Sequence, residues 1–205
     1  MPFILPKLYP ITDVRLAGLS HSEQINRFIS GGATLIQLRE KNASAREFYE
    51  DAKEALQIAR TRGARLIIND RVDIALALKA DGVHLGQDDM PPDAARELLG
   101  REAIIGFSSH NVAQAVDALD QPIDYLAIGP IYSTSTKENP DAVVGLDGLR
   151  RVRLAVGSLP LVAIGGITRA RAREVLAAGA DSIACISELL ASDEGIETRM
   201  REFFR

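Results

Sequence analysis

Short apolar and β-branched runs recur along the whole chain, separated by segments that carry helix signals. The runs cover 8–12, 34–39, 65–69, 82–85, 103–107, 125–129, 161–165 and 182–186. They are apolar at successive positions rather than alternating, the pattern of parallel strands covered on both faces. Ser20-x-x-Glu23 and Ser44-x-x-Glu47 read as capping boxes that open helices. Pro91 and Pro92 suit the start of another helix, one that stops near Gly100. Thr168 is placed to cap an arginine-rich helix over 169–178, and Gly179 to end it in a left-handed conformation. Strand–helix alternation repeated eight times predicts a (β/α)₈ TIM barrel. The rival is an open doubly wound sheet. Eight strands in 205 residues with no phosphate-binding GxGxxG motif favour closure.

The chain length suits one catalytic domain over 1–205, near the lower limit for such a barrel. With 46% hydrophobic and 25% charged residues, the composition is that of a soluble globular protein. A net charge of −4 removes any global field for nucleic acid, so an anionic small-molecule substrate must be held by local donors. The one cysteine, Cys185, excludes an internal disulfide and a cysteine-rich metal site, which suits a cytoplasmic protein. No membrane partner is expected. No segment reaches the roughly 20 apolar residues of a bilayer span, and 1–7 do not read as a secretory signal.

A barrel does its chemistry at the C-terminal ends of its strands. Polar, charged or glycine residues follow every run here: Thr12-Asp13, Gln37 to Lys41, Asn69-Asp70, Asp88-Asp89, Ser108 with His110, Thr134 to Lys137, Gly165-Gly166 and Ser187. Strand alternation puts Gln37, Arg39 and Lys41 on one face and Leu38 on the other. Charges aimed into a barrel mouth require anions, and a guanidinium fork suits phosphate oxygens. The bland alternative pairs Arg39 with a nearby carboxylate and leaves Lys41 in solvent. Asp70 and Asp89 end successive strands and offer the oxygen ligands that Mg²⁺ takes. Ordinary helix capping by Asp70 or Asp88 is the competing account. The hydroxyl-rich segment 129–137 fits either an anion clamp on a lid or a solvated loop. Gly165-Gly166 and Ile186-Ser187 stand where barrels frequently bind phosphate, although tight-turn glycines and a serine cap are compatible with the same residues. Cys185 reads as a small core residue, and His84 and His110 as structural.

Taken in order, the motifs are Tyr9-Pro10-Ile11-Thr12-Asp13, Gln37-Leu38-Arg39-Glu40-Lys41, Asn69-Asp70-Arg71-Val72-Asp73-Ile74-Ala75 and Asp81-Gly82-Val83-His84-Leu85-Gly86-Gln87-Asp88-Asp89. Gly106-Phe107-Ser108-Ser109-His110, the 129–137 segment, Val162-Ala163-Ile164-Gly165-Gly166-Ile167 and Ile186-Ser187 complete the set. With these motifs the chain resembles the thiamine-phosphate synthase family over nearly its whole length. The resemblance implies a Mg²⁺-dependent transferase of thiamine biosynthesis that joins hydroxymethylpyrimidine pyrophosphate to a thiazole phosphate. It assigns Gln37, Leu38, Arg39, Glu40, Lys41, Asn69, Ser108 and Lys137 to the pyrimidine pyrophosphate, with Arg39, Lys41, Ser108 and Lys137 as the catalytic residues. Asp70 and Asp89 become the magnesium ligands, and Asp88 a neighbour. Thr134, Ser135, Thr136, Gly166, Ile186 and Ser187 take the thiazole phosphate. Two rivals are a thiazole tautomerase on the same kind of barrel and a non-catalytic thiazole-phosphate-binding protein. The metal and pyrophosphate residues, kept together, favour the synthase.

Overall fold

A computed structural model of the chain describes residues 4–136, 141–191 and 195–205. Eight strands form one parallel sheet: β1 (Leu8–Pro10), β2 (Leu35–Leu38), β3 (Arg65–Asn69), β4 (Gly82–Leu85), β5 (Ile104–Ser109), β6 (Tyr125–Ile128), β7 (Leu161–Ile164) and β8 (Ser182–Cys185). Their order is β1-β8-β7-β6-β5-β4-β3-β2. The sheet closes where Ile11 bridges Gln37 and the Thr12 N–H donates to the Gln37 carbonyl at 2.9 Å. The architecture is a (β/α)₈ barrel. Every expected strand is present, two with the expected bounds and the rest with ends shifted by at most two residues. Thr12, Arg39, Gly129, Gly165 and Ile186 lie just past the pairing, at the barrel's rim.

Between and after the strands run α1 (Val14–Ala17), α2 (His21–Ser30), α3 (Ala45–Thr61), α4 (Val72–Leu78), α5 (Pro92–Leu99), α6 (Val112–Asp117), α7 (Gly145–Val156), α8 (Arg169–Ala177), α9 (Ser187–Leu190) and α10 (Ile196–Glu202). Both capping boxes form. Ser20 and Glu23 open α2, and Ser44 and Glu47 open α3, each serine oxygen accepting an N3 backbone N–H while the glutamate returns to the cap N–H. Thr168 occupies the N-cap position of α8, but its hydroxyl makes no capping bond. Glu188, reaching over from α9, accepts the Arg169 N–H at 3.0 Å instead. The αR residue Ala178 caps the helix, and Gly179 follows it with φ +115°.

The alternation along each strand divides the core in two. Ile36, Leu38, Leu66, Ile68, Val83 and Leu85 face the helices and pack against residues such as Phe28, Phe48 and Leu56. Tyr9, Ile11, Leu35, Ile67, Ile104, Tyr125, Ala127, Val162 and Ala184 fill the barrel itself. Burial on both faces is the reason the strands read as continuous apolar runs. At the N-terminal end, carboxylates tie neighbouring strands together. Asp81 accepts the Leu66 N–H, Asp124 the Ile105 N–H and Asp181 the Leu161 N–H, at 2.8, 2.7 and 2.9 Å. These bonds hold the strand starts in register, and in β/α barrels ligands gather at the opposite, C-terminal end. Among the described residues no helix is long and apolar enough to cross a membrane.

Candidate active site

The C-terminal strand ends open into a cavity of about 600 Å³. From β2, Gln37, Arg39 and Lys41 line it, as the alternation requires. Arg39 also pairs with Asp13 at 3.3 Å, so the carboxylate partner weighed for it is present. Lys41 is half-exposed and contacts the Asp70 carboxylate rather than standing alone in solvent. Leu38 and Glu40 do not line the cavity. Leu38 is fully buried in the helix-facing core. Glu40 folds back to accept the backbone N–H groups of Lys41, Asn42 and Ala43 and sits 3.4 Å from His21 Nε2. Burial would raise its pKa, but those N–H donors outweigh the burial and hold it below the ordinary carboxylate range. The side chain of Leu38 therefore packs in the core and that of Glu40 in the loop after β2, and neither lines the cavity.

Asn69 and Asp70 end β3. Asn69 is buried, lines the cavity, and its Nδ2 has no hydrogen-bond partner within the protein. Asp70 adopts φ +61°, a conformation aspartate tolerates better than most residues. It caps nothing: Arg71 holds the N-cap position of α4, without a side-chain bond. Asp88 does not cap α5 either, whose N-cap is Pro91. Asp89 accepts the Gly86 N–H at 2.6 Å and lies against the Asp70 carboxyl. Burial first, and then the Asp70 charge, pushes its pKa up against the pull of that N–H. Two neighbouring carboxylates attract positive charge, and Lys41 supplies one through its contact with Asp70. Among the described residues no three His, Cys, Asp or Glu side chains gather into a metal-binding cluster. Two carboxylates with room for substrate oxygens and water suit Mg²⁺ better than a closed zinc site.

Ser108, near the end of β5, contacts His84 Nε2 through its Oγ at 2.9 Å. His84 Nδ1 meets the Tyr125 hydroxyl at 2.9 Å, and Tyr125 meets Tyr9 at 3.0 Å. His84 reads from the sequence as structural, and no sequence signal sets the two tyrosine hydroxyls apart, yet all three residues line the cavity. Burial lowers the His84 pKa to about 4 and raises those of Tyr9 and Tyr125. All three are neutral at pH 7. His110 also lines the cavity, with Nδ1 2.7 Å from the Gly129 carbonyl, so that nitrogen carries the proton.

On the far side, Thr134, Thr136, Gly166, Ile186 and Ser187 line the same cavity. Ser135 between them is exposed and does not line the cavity. Lys137 lies outside the described residues. Gly166 has φ +61°, and a Cβ there would stand 2.4 Å from the Ser133 carbonyl oxygen. The turn that carries Thr134 therefore fills the space a side chain would need. Cys185 sits at the cavity base with a buried thiol whose pKa burial pushes up, as befits a small core residue.

Donors from β2, β3 and β5 face a carboxylate pair, and a second polar wall rises from β6 to β8. This arrangement is that of a β/α-barrel enzyme whose polar groups gather at the C-terminal strand ends. The family model described as thiamine monophosphate synthase matches residues 8–189. The chain is 50% identical over 189 residues to a thiamine-phosphate synthase of Chloroflexus aurantiacus, covering 92% of this chain and 87% of the relative. It is 47% identical to that of Clostridium novyi, with 92% of each chain covered. The structure of a thiamine phosphate pyrophosphorylase from Pyrococcus furiosus superposes with a TM-score of 0.85 at 42% identity, covering 96% of this chain and 93% of that one. The chain belongs to the thiamine monophosphate synthase family, and it is a transferase.

Proposed function

We propose that the protein joins hydroxymethylpyrimidine pyrophosphate to a thiazole phosphate, giving thiamine phosphate and pyrophosphate, with Mg²⁺ held by Asp70 and Asp89. The observation that carries the reading is the unmet polar demand at the end of β3. A buried Asn69 whose Nδ2 has no protein partner stands beside the Asp70–Asp89 carboxyl pair, to which Lys41 brings a single positive charge. Such an amide costs stability unless a ligand satisfies it, and the carboxylates call for a cation that a pyrophosphate would share.

On this reading the pyrimidine side is formed by Gln37, Arg39, Lys41, Asn69 and Ser108, and the thiazole phosphate side by Thr134, Thr136, Gly166, Ile186 and Ser187. Bound Mg²⁺ would stabilise negative charge on the departing pyrophosphate. Arg39 and Lys41 add positive charge at the same place, held in position by Asp13 and Asp70. The bond from the pyrimidine methylene carbon to oxygen breaks, and the electron pair leaves with pyrophosphate. The aminopyrimidine ring shares the positive charge left behind, and the thiazole nitrogen then bonds to that carbon in a largely dissociative substitution. A carboxylated thiazole would lose carbon dioxide as well. No protein nucleophile takes part, in keeping with the buried, protonated Cys185. The family resemblance adds Lys137 as a further clamp on the leaving group. A cytoplasmic setting would keep the Cys185 thiol reduced.

The test is product formation from both organic substrates with Mg²⁺. Thiamine phosphate and pyrophosphate in equal amounts support the reading. Isomerisation of the thiazole phosphate alone, without coupling, would make the protein a tautomerase. Binding of the thiazole phosphate without turnover would make it a binding protein.

A further inference from the structure

We propose that the buried series Gln37–Tyr9–Tyr125–His84 is a positioning relay that fixes the Ser108 hydroxyl as a hydrogen-bond donor toward the ligand. It rests on the reading of the cavity as the pyrimidine pyrophosphate site. The four links measure 3.4, 3.0, 2.9 and 2.9 Å, from Gln37 Nε2 to Tyr9 Oη, to Tyr125 Oη, to His84 Nδ1, and from His84 Nε2 to Ser108 Oγ. The series crosses the barrel from β2 through β1, β6 and β4 to β5.

Proton counting gives the series a direction. A neutral tyrosine or histidine supplies one proton to such a series. The Gln37 amide nitrogen can only donate, so Tyr9 accepts there and its own proton is free for Tyr125. The Tyr125 proton then serves His84 Nδ1, which leaves the imidazole proton on Nε2. From Nε2 it is donated to Ser108 Oγ. The serine therefore accepts from below, and its own proton is left to point into the cavity. In the reverse direction Ser108 would donate to His84 and could not donate to a ligand. That arrangement leaves one tyrosine proton facing another donor at the Gln37 end. Burying an unmatched donor is costly, so one polarity dominates.

Packing keeps the links in register. The rings of His84 and Tyr125 are stacked with centroids 5.5 Å apart, and Tyr9 meets Tyr125 edge-on at 5.9 Å. Gly106 makes the room: a Cβ there would stand 2.1 Å from Tyr125 Cζ and 2.5 Å from His84 Nδ1. A pyrophosphate presents acceptor oxygens only, so a serine poised to donate matches it, whereas one turned inward presents lone pairs to an anion.

Two measurements test the relay. Long-range ¹H–¹⁵N spectra of the intact, histidine-labelled protein report the tautomer of His84, assigned through contacts of its ring with that of Tyr125. Protonation at Nε2 with a bare Nδ1 is expected at pH 7, and protonation at Nδ1 overturns the proposal. The second measurement is a kinetic double-mutant cycle. Tyr125→Phe keeps the ring but removes the central hydroxyl, and it should lower kcat about tenfold, the order of one buried hydrogen bond. In the Ser108→Ala background the same change should have almost no further effect on kcat. Multiplying losses would show that Tyr125 acts on the fold and not through Ser108, and would overturn the relay. Absence of coupling activity in the unmodified enzyme would instead count against the proposed reaction, and the tautomer would still decide the relay.

Discussion

Replacing Gly106 with alanine adds one methyl group at a crowded point of the barrel interior. The added Cβ would meet Tyr125 Cζ at 2.1 Å, Tyr125 Oη at 2.3 Å and His84 Nδ1 at 2.5 Å. Carbon atoms pack at roughly 3.5–4.0 Å, so the neighbours must retreat by about 1 Å or more. Neither neighbour is the loose end of a flexible chain. Both are rings buried between strands, and each is held by the other through the 2.9 Å hydrogen bond. Overpacking of this kind costs about 1–3 kcal/mol, and loss of the His84–Tyr125 bond adds about 1 kcal/mol. A total near 3 kcal/mol corresponds to a fall in Tm of roughly 6–12 °C for a domain of this size. Gly63→Ala is the matched control. Gly63 has φ +73° but nothing within 4 Å of its added Cβ, so that variant carries backbone strain alone, about 1 kcal/mol. Thermal unfolding followed by circular dichroism, with turnover measured on the folded fraction, gives both readouts. Gly106→Ala should melt well below Gly63→Ala and lose activity even where it is folded. If the two variants melt together, the close approach of Tyr125 and His84 to β5 is refuted.

Asp70→Ala and Asp89→Ala should each reduce turnover at least about 100-fold while leaving the circular dichroism spectrum intact, because each removes one oxygen ligand at the pyrophosphate. Unchanged magnesium titrations in both variants would remove the metal assignment. Gly166→Val should weaken thiazole phosphate binding more than Ser187→Ala. The valine displaces the Ser133 carbonyl and strains a φ of +61°, whereas the alanine removes one hydroxyl. Calorimetric titration that ranks the two the other way would place the phosphate elsewhere. His84 predicts a pH effect on stability. Its folded pKa of about 4 lies below the ordinary 6.5, so the unfolded chain takes up its proton first. Stability is therefore complete above pH 6.5 and is lost as the pH falls toward 4, by about 2 kcal/mol between pH 7.5 and 5. Urea melts of the wild type and His84→Gln should differ by that slope, and parallel slopes would refute the burial.

What can be read along the chain is what local physics sets. The strands announced themselves because parallel strands covered on both faces must be apolar at successive positions. Ser20 with Glu23 and Ser44 with Glu47 are legible because a capping box is complete within four residues. The inward direction of Gln37, Arg39 and Lys41 follows from pleating alone. Tertiary structure decided the rest. Glu40 stays out of the cavity because His21 and three backbone N–H groups of its own loop capture it, and Ser135 is exposed between two threonines that line the cavity. Tyr125 looks in sequence like any core aromatic. Its hydroxyl gains a role only because the barrel closes and brings it to Tyr9, 116 positions away, and to His84, 41 positions away. Hydrophobic period and caps are properties of neighbours in sequence. Proton direction in a buried series depends on which side chains share one dry space, and only closure of the sheet creates that space.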